Sequence, residues 1–213
     1  MYTEAAALRP VVYILDDDAS VRNSLERLVR SVGLDAESFP SAVEFLNQGP
    51  TDRPACLVVD VRMPGLSGLD LQDTLAATGW TSPIIFITGH GTVPLCMRAM
   101  RAGAMNFLQK PFEDQEILDS IHQALDREMA SRRLRERRSE IERHLSVLTR
   151  REREVFGLVV AGLPNKRIAS QLGTSEKTVK VHRGRVMEKT GAESLAALVQ
   201  MAYEAGLMTH PEI

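Results

Sequence analysis

Short apolar runs recur along the first 126 residues of the chain, three of them strong and two weaker. Continuous apolar runs of this length are typical of strands that a parallel sheet buries on both faces. The predicted strands are Val11–Leu15, Leu34–Phe39, Leu57–Val59, Ile84–Ile87 and Asn106–Leu108, of which the second and the fifth are the weaker.

Segments with helical periodicity separate these strands. The first is defined by apolar residues that fall on one helix face between Val21 and Val32. Four more helices are predicted at residues 41–46, 69–76, 95–102 and 117–125, and Pro94 suits the first turn of its helix. Five strands alternating with five helices predict an α/β doubly wound parallel sheet, for which we expect the strand order 2-1-3-4-5.

Polar residues stand where the predicted strands end. Asp16 and Asp17 follow the first strand, Asp60 the third and Thr88 the fourth, and Lys110 comes shortly after the fifth. In an open α/β sheet, ligands bind outside the carboxyl ends of the strands, where the strand order reverses. In the expected order the first and third strands are neighbours, so the three acids should converge, flanked by a hydroxyl and an ammonium group.

This set of side chains suits phosphoryl chemistry. Three neighbouring carboxylates repel one another and raise one another's pKa unless a cation joins them. Hard oxygen ligands suit Mg²⁺, which favours carboxylates together with phosphate. Asp60 is then the candidate nucleophile, because a carboxylate can form an acyl phosphate. Taken singly, each acid could be only a turn or capping residue, and Lys110 only a solvated lysine; the prediction depends on the combination.

The charge distribution predicts a division of the 213 residues. The net charge is −2, but residues 1–126 carry 9 Lys and Arg against 17 Asp and Glu, whereas residues 127–144 carry 7 against 4 and residues 145–213 carry 10 against 7. An acidic part joined to a basic part indicates two domains with different partners. We therefore predict domains at 1–126 and 145–213, with a linker at 127–144.

The linker sequence has no Gly or Pro and is rich in helix-forming residues. It is predicted to be a solvated helix that continues the last helix of the first domain. A short dimer seam through Met129, Leu134 and Ile141 is an alternative, although their spacing is not a sustained heptad. Direct DNA contact by residues 132–138 is the least favoured role.

The last 69 residues carry the boundary signals of several short helices. Thr149 and Glu152 form a capping-box pattern. Gly162 is expected to end that helix, Asn165 to cap the next and Gly173 to make a tight turn. A third helix is then capped by Thr174 or Ser175 and runs to about residue 189, and a fourth covers about residues 194–205. Two short helices joined by a glycine turn are typical of a helix-turn-helix.

The third of these helices has one basic side. It carries six Lys, Arg and His residues and keeps Val179 and Val186 for its apolar side, with Val181 as a weaker apolar candidate. Such a face could neutralise phosphates, although charge alone would also fit a solvated helix. Gly184 lies inside the helix, where glycine costs about 0.5–1 kcal/mol relative to alanine.

Other classes of protein are disfavoured. No apolar run of about 18 residues predicts a transmembrane helix, and the first residues do not resemble a secretory signal, so a cytoplasmic protein without membrane contact is expected. Cys56 and Cys96 lack the spacing of a metal or redox site. Neither a P-loop nor a dinucleotide-binding glycine motif follows a strand.

Four motifs, YILDDD, VVDVRMPGLSG, FITGHG and NFLQKPF, resemble the receiver domain of two-component response regulators over about residues 9–128. The resemblance implies that Asp60 accepts a phosphoryl group from a sensor histidine kinase. It also implies that Mg²⁺ is held by Asp16, Asp17, Asp60 and the backbone carbonyl of Arg62. No enzyme activity is implied beyond the receiver's own phosphoryl acceptance and hydrolysis.

The same resemblance implies a conformational switch. Thr88 and Phe107 would be the switch pair, Lys110 would contact the phosphoryl group, and the peptide bond from Lys110 to Pro111 would be cis. Phosphorylation would then favour a homodimer through residues such as Met97 and Arg101.

The C-terminal segment, with VVAGLPNKRIA and TVKVHR, resembles the LuxR-type helix-turn-helix of the FixJ/NarL regulators over about residues 145–208. The resemblance implies binding to double-stranded promoter DNA, cooperation with RNA polymerase and control of transcription, as an activator. The implied base-facing residues are Lys180, Val181 and Gly184. Residues implied to lie near backbone phosphate are Lys166, Thr178, His182 and Arg183. Gly184 departs from relatives with a long basic residue there, and glycine cannot read a base edge.

Two rival functions use the same residues. An aspartyl-phosphate phosphatase of the haloacid dehalogenase type would use an Asp nucleophile, Mg²⁺, a Thr and a Lys. It would, however, place a second Asp two residues after the nucleophile, where this chain has Arg62. The other rival is a DNA-binding regulator that acts independently of phosphate, with a first domain that only dimerises.

Overall fold

The apolar runs form the strands that the hydrophobic pattern predicts. The computed structural model describes residues 9–49 and 52–208. The third strand is longer than predicted at both ends, because Ala55 and Cys56 pair with the first strand and Asp60 pairs with the fourth. The strands are β1 (Val11–Leu15), β2 (Asp35–Phe39), β3 (Ala55–Asp60), β4 (Ile84–Thr88) and β5 (Asn106–Gln109).

All neighbouring strands are parallel, in the order β2-β1-β3-β4-β5, which confirms the predicted topology. In the register between β1 and β3, Leu15 pairs with Val59. The residue after Leu15 is Asp16, and the residue after Val59 is Asp60. The register therefore brings these two residues side by side at the carboxyl edge of the sheet.

Five helices alternate with the strands, as predicted. Asp18 caps the first of them by accepting a hydrogen bond from the Ser20 N–H at 2.7 Å. Pro94 lies in the first turn of the fourth, the position for which its fixed backbone angle is suited. The helices are α1 (Ala19–Ser31), α2 (Ala42–Gln48), α3 (Gly68–Ala77), α4 (Val93–Arg101) and α5 (Asp114–Ser146).

Alternate residues of each strand pack on opposite faces of the sheet. Tyr13 and Leu57 belong to a core formed with α2, α3 and α4, whereas Ile14 and Val58 belong to a second core formed with α1 and α5. Because both faces are covered, the central strands β1, β3 and β4 are apolar at every position except the last residues of β3 and β4, Asp60 and Thr88, which explains the continuous runs.

The chain divides into two units, Met1–Arg132 and Arg133–Ile213. Residues 127–144 lie inside α5, so this segment is helical. Ile141, considered as part of a dimer seam, is instead fully buried in the core of the second unit. The domain limits at 126 and 145 stay a prediction.

In the described part of the second unit, which ends at residue 208, four further helices surround one apolar core. Val155, Ile168, Val179 and Leu198 contribute one deeply buried side chain from each helix. The helices are α6 (Arg150–Val160), α7 (Asn165–Gln171), α8 (Glu176–Thr190) and α9 (Leu195–Glu204).

Most of the predicted boundaries of these helices are confirmed. Thr149 and Glu152 form the capping box, and Ser175 caps α8. Gly162 and Gly173 have positive φ angles of 81° and 61°, which glycine adopts without steric cost.

The prediction that Asn165 caps α7 was wrong. Pro164 occupies the N-cap position, and no side chain there accepts a hydrogen bond from the first turn. Asn165 is the first residue of the helix, and its Oδ1 accepts a hydrogen bond of 2.9 Å from an Arg183 guanidinium nitrogen. The asparagine therefore joins α7 to α8 instead of capping α7.

In residues 9–49 and 52–208, no helix has both the length and the apolar character that crossing a membrane requires.

A buried ion pair joins α6 to the end of α8. Glu152 is 2% exposed, and its Oε2 lies 2.6 Å from the Lys189 Nζ and accepts a 2.9 Å hydrogen bond from the Thr149 N–H. The hydrogen bond from Lys189, followed by that from Thr149, lowers the pKa of Glu152 from an ordinary value of 4.5 to about 2. The ionised carboxylate therefore ties the start of α6 to α8.

Substituting Glu152→Gln is expected to lower the stability of the second unit at neutral pH and to leave it less sensitive to acid. A carboxyl group whose pKa is depressed by folding stabilises the fold above its unfolded pKa, and this contribution is lost as the pH falls through the folded pKa. The stability difference between wild type and variant should therefore be complete above about pH 5 and shrink as the pH falls from 4.5 toward 2. Urea unfolding at a series of pH values measures it.

The matched control is Glu193→Gln, which removes an exposed acid of the same unit. It should leave the pH dependence close to that of the wild type. Parallel curves for Glu152→Gln and wild type would contradict the assigned role of Glu152.

Candidate functional site

Three carboxylates meet at the carboxyl edge of the sheet. Asp16 and Asp60 are buried and Asp17 is exposed, and one oxygen of each lies within 4.8 Å of the others. The adjacency of β1 and β3 produces this cluster, because Asp16 and Asp17 follow β1 while Asp60 is the last residue of β3. The structure thus brings together the acids that the sequence predicted to converge.

Lys110 reaches the cluster from the loop after β5. Its Nζ lies 2.6 Å from Asp16 Oδ2 and 3.5 Å from Asp60 Oδ2. Its side chain is 23% exposed, so the ion pair is partly shielded from water. One ammonium group therefore faces two of the three carboxylates, and the cluster retains an excess of negative charge.

Burial sets the ionisation of Asp60. The pKa of its carboxyl is raised first by desolvation and, to a smaller extent, by the charge of Asp16, while Lys110 and the Arg62 N–H lower it. The sequence had predicted mutual repulsion as the cause, but burial is the larger effect. A cation at the cluster would favour the ionised form that a nucleophile needs.

The donor set fits a magnesium ion. Three carboxylates provide hard oxygen ligands, one of them from an exposed residue open to water. The Arg62 N–H donates to Asp60 Oδ1 at 3.4 Å, so the backbone of residue 62 lies beside the carboxylate.

Two further residues hold Asp16 in place, and their sequence positions gave no sign of this role. The Arg22 guanidinium donates to the Asp16 carbonyl at 2.6 Å. The Asp18 N–H donates to Asp16 Oδ1 at 2.9 Å, while the Asp18 side chain caps α1. No local pattern could have revealed the Arg22 contact, because it spans six residues across a strand-to-helix turn.

Gly68 is required by the packing of α3 against β3. A Cβ atom at this position would collide with the carbonyl oxygen of Asp60, and the Gly68 N–H donates to the Val61 carbonyl at 3.1 Å. Only glycine lets the first turn of α3 approach the end of β3 this closely. The signal in the sequence was a glycine directly after the Ser67 cap, in the first turn of a helix.

The predicted switch residues lie on two adjacent strands. Thr88 is fully buried, and its Oγ1 accepts a hydrogen bond of 3.2 Å from the His90 N–H. Phe107 is half-buried, and both residues lie against Gly91, where a Cβ would come within 3.3 Å of each side chain. In this conformation the Thr88 hydroxyl is therefore hydrogen-bonded within the loop that follows β4. The Lys110–Pro111 peptide bond is cis, as the resemblance implied.

The outer face of α4 exposes the two residues predicted to dimerise. Met97 is 46% exposed, and Arg101 is also exposed. Val93 and Met100, at 73% and 44%, extend the apolar part of this face. The arrangement leaves an apolar surface on the first unit with two exposed cations, Arg98 and Arg101, beside it.

In the second unit, α8 presents the residues predicted to face DNA bases. Lys180 and Gly184 are exposed, and Val181 is 49% exposed, so Val181 does not belong to the core. Lys166 is exposed on α7. Thr178 is exposed as well, and its Oγ1 lies 2.9 Å from Ser175 Oγ at the start of α8.

Two of the residues predicted to lie near phosphate are less available. Arg183 is half-buried and donates to Asn165 Oδ1. His182 is half-buried, and its Nδ1 is buried without a hydrogen-bond partner in the described part of the chain. These contacts give Arg183 a structural role in joining α7 to α8, which the sequence did not indicate.

Known protein families match each of the two units of the chain separately. Residues 12–122 match the family described as response regulator receiver domain, and residues 146–202 match the family described as bacterial regulatory proteins, luxR family. Nodulation protein W of Bradyrhizobium diazoefficiens is 46% identical over 97% of this chain and 90% of its own length. Transcriptional regulatory protein FixJ of Azorhizobium caulinodans is 46% identical over 92% and 93%. A solved structure of response regulator StyR has a TM-score of 0.85 at 46% identity, covering 92% of this chain and 99% of that one.

Proposed function

Since this chain belongs to the response regulators that join a receiver domain to a LuxR-type DNA-binding domain, and is a transcription regulator of that family, we propose that Asp60 is its phosphoacceptor. The donor is the phosphohistidine of a cognate sensor kinase. The observation that carries the proposal is the cluster of Asp16, Asp17 and Asp60, two of which Lys110 contacts.

In the transfer step an oxygen of the Asp60 carboxylate attacks the phosphorus atom. The bond between phosphorus and the imidazole nitrogen breaks, and its electron pair stays on the nitrogen. Lys110 Nζ, already 3.5 Å from Asp60, is positioned to pair with the oxygens of the new acyl phosphate. Asp16, Asp17, Asp60 and the Arg62 carbonyl would hold Mg²⁺, which would offset charge on the transferred group.

Phosphorylation then changes which partner the Thr88 hydroxyl binds. In the resting form the hydroxyl accepts from the His90 N–H. A phosphoryl group on Asp60 offers it a charged acceptor, and the hydroxyl turns toward it as a donor. Phe107 moves into the space that Thr88 leaves, since both lie against Gly91. The switch remodels the exposed face of α4, which favours a homodimer through Met97 and Arg101.

The dimer presents two copies of α8 to promoter DNA. Lys180, Val181 and Gly184 face the bases, and Lys166 and Thr178 lie near the phosphate backbone of the DNA. Two half-sites about one helical turn apart fit such a pair. Bound in this way, the protein recruits RNA polymerase and activates transcription. The receiver domain spans residues 1–126, the helical linker 127–144 and the DNA-binding domain 145–213.

Treatment with beryllofluoride, a phosphoryl mimic, is expected to raise the affinity of the full-length protein for its DNA at least tenfold, because the mimic favours the dimer that engages both half-sites. The probe is a duplex selected from a random-sequence library by the treated protein. Fluorescence anisotropy measures affinity, and analytical ultracentrifugation measures the monomer–dimer equilibrium.

Equal affinity with and without the mimic would instead support the phosphate-independent regulator. Steady turnover of a generic phosphate ester by the protein would support the phosphatase. Asp60→Asn, treated in the same way, is the control for binding of the mimic at another site.

A further inference from the structure

Nothing in the described residues requires glycine at position 184. It lies inside α8, and glycine is the least favourable residue after proline in a helix interior. Its φ is not positive, so an ordinary side chain fits the backbone. Apart from its chain neighbours and the backbone of its own helix turn, no atom of the described residues lies within 4 Å of the Cβ that another residue would add. Neither backbone conformation nor internal packing therefore excludes a side chain here.

Gly184 lies at the centre of the exposed side of α8. It is roughly 140° and 160° around the helix axis from the buried Val179 and Val186. It also follows Lys180 by four residues and Val181 by three, so the three share one face. The backbone at Gly184 therefore lies on the side of α8 away from Val179 and Val186, which pack in the core.

This face also carries cations without internal partners. Lys177 and Lys180 are exposed on it, with Glu188 one turn beyond Gly184, and among the described residues no acid lies within salt-bridge distance of either lysine. Cations without internal partners are available to phosphates. The face therefore combines unpaired charge, one exposed valine and a segment without a side chain.

We propose that Gly184 is the point where α8 approaches DNA most closely, with its Cα in van der Waals contact with the floor of the major groove. This inference rests on the proposed function, in which α8 enters that groove. Without a side chain at 184, the helix lies deeper, which brings Lys180 and Val181, one turn earlier, within reach of base edges. Glycine at this position then sets the depth of the helix instead of reading a base.

The competing possibility is that Gly184 faces a gap filled with water. The two cases differ in how a side chain acts. At a close contact, even a methyl group pushes the helix outward, and larger groups do more. Across a gap, a methyl group has no effect, and a lysine gains a phosphate contact and tightens binding.

Gly157 provides a matched control. It also lies inside a helix, α6, is exposed, has no positive φ and has no described atom within 4 Å of an added Cβ. Gly157→Ala and Gly184→Ala should both raise the melting temperature of the same transition by about 4 °C, since both remove a glycine from a helix interior. Only Gly184→Ala should affect DNA binding.

The test uses the full-length protein, treated with beryllofluoride, and a duplex selected by the wild type from a random-sequence library. Gly184→Ala should weaken binding about tenfold, Gly184→Leu about a hundredfold, and Gly184→Lys should also weaken it. Gly157→Ala and Gly157→Leu should bind as the wild type does. Wild-type affinity of Gly184→Ala, or tighter binding by Gly184→Lys, would overturn the inference while leaving the proposed function intact. If the wild type selects no sequence, the proposed function fails, and the inference with it.

Discussion

The Asp60→Asn variant is expected to take up no phosphoryl group from radiolabelled acetyl phosphate under conditions that label the wild type fully. An amide oxygen is a poor nucleophile and forms no acyl phosphate, and the substitution also removes one oxygen ligand from the acid cluster. The buried side chain is replaced by one of nearly the same shape, so the fold should persist. Label retained after gel filtration measures the transfer, and a melting curve confirms folding.

Asp18→Asn is the matched control for this experiment. It removes the same charge two residues from Asp16, and asparagine caps a helix about as well as aspartate, so α1 should be preserved. Asp18 is not among the clustered acids. This variant should therefore be labelled at nearly the wild-type level.

The two variants together separate the nucleophile from its surroundings. Label on Asp60→Asn would refute Asp60 as the acceptor. Loss of label in both variants would instead indicate that the summed negative charge of the site is what transfer requires.

Lys180→Ala is expected to weaken binding to the selected duplex by about 10- to 100-fold and to relax its sequence preference. Removing a side chain that contacts a base edge costs about 1–3 kcal/mol and affects mainly the base it reads. Lys180 is exposed on α8 and does not belong to the core that Val179 and Val186 join, so its loss should leave that core unchanged. Affinity for the selected duplex and for single-base variants of it measures both effects.

Two other cations of the second unit provide the comparison. Lys166→Ala, on α7, should weaken binding equally for all sequences and reduce the slope of log affinity against log salt by about 1, as expected for a phosphate contact. Arg150→Ala removes a charge whose side chain is 96% exposed on α6, and it should change neither quantity. Equal losses for Lys180→Ala and Arg150→Ala would show that only net charge matters, and would remove Lys180 from the base-reading residues.

The wrong prediction at Asn165 shows where local reasoning fails. Asparagine before a helical pattern is a good capping signal, and Pro164 before it fits a loop. The outcome was decided by Arg183, eighteen residues away, which offers the asparagine oxygen a cationic donor. A pattern that counts only nearby residues cannot include such a partner.

The correct predictions share a physical basis. Strand positions follow from continuous burial, and helix starts such as Ser175 follow from a hydrogen bond only three residues long. The proximity of Asp16 and Asp60 could be predicted because parallel strands end at the same edge of a sheet. Residues at the ends of adjacent strands are therefore close in space.

The sequence by itself determined most of the elements and the identity of the acids, because these depend on periodicity and on contacts between residues close along the chain. The tertiary structure alone decided that burial raises the pKa of Asp60 more than its acidic neighbour does, that Lys110 contacts two carboxylates at once, and that Gly68 must lack a side chain. Those properties depend on distances between atoms that are set by packing. Desolvation of a carboxyl group and steric collision with a carbonyl oxygen arise only when the chain is folded.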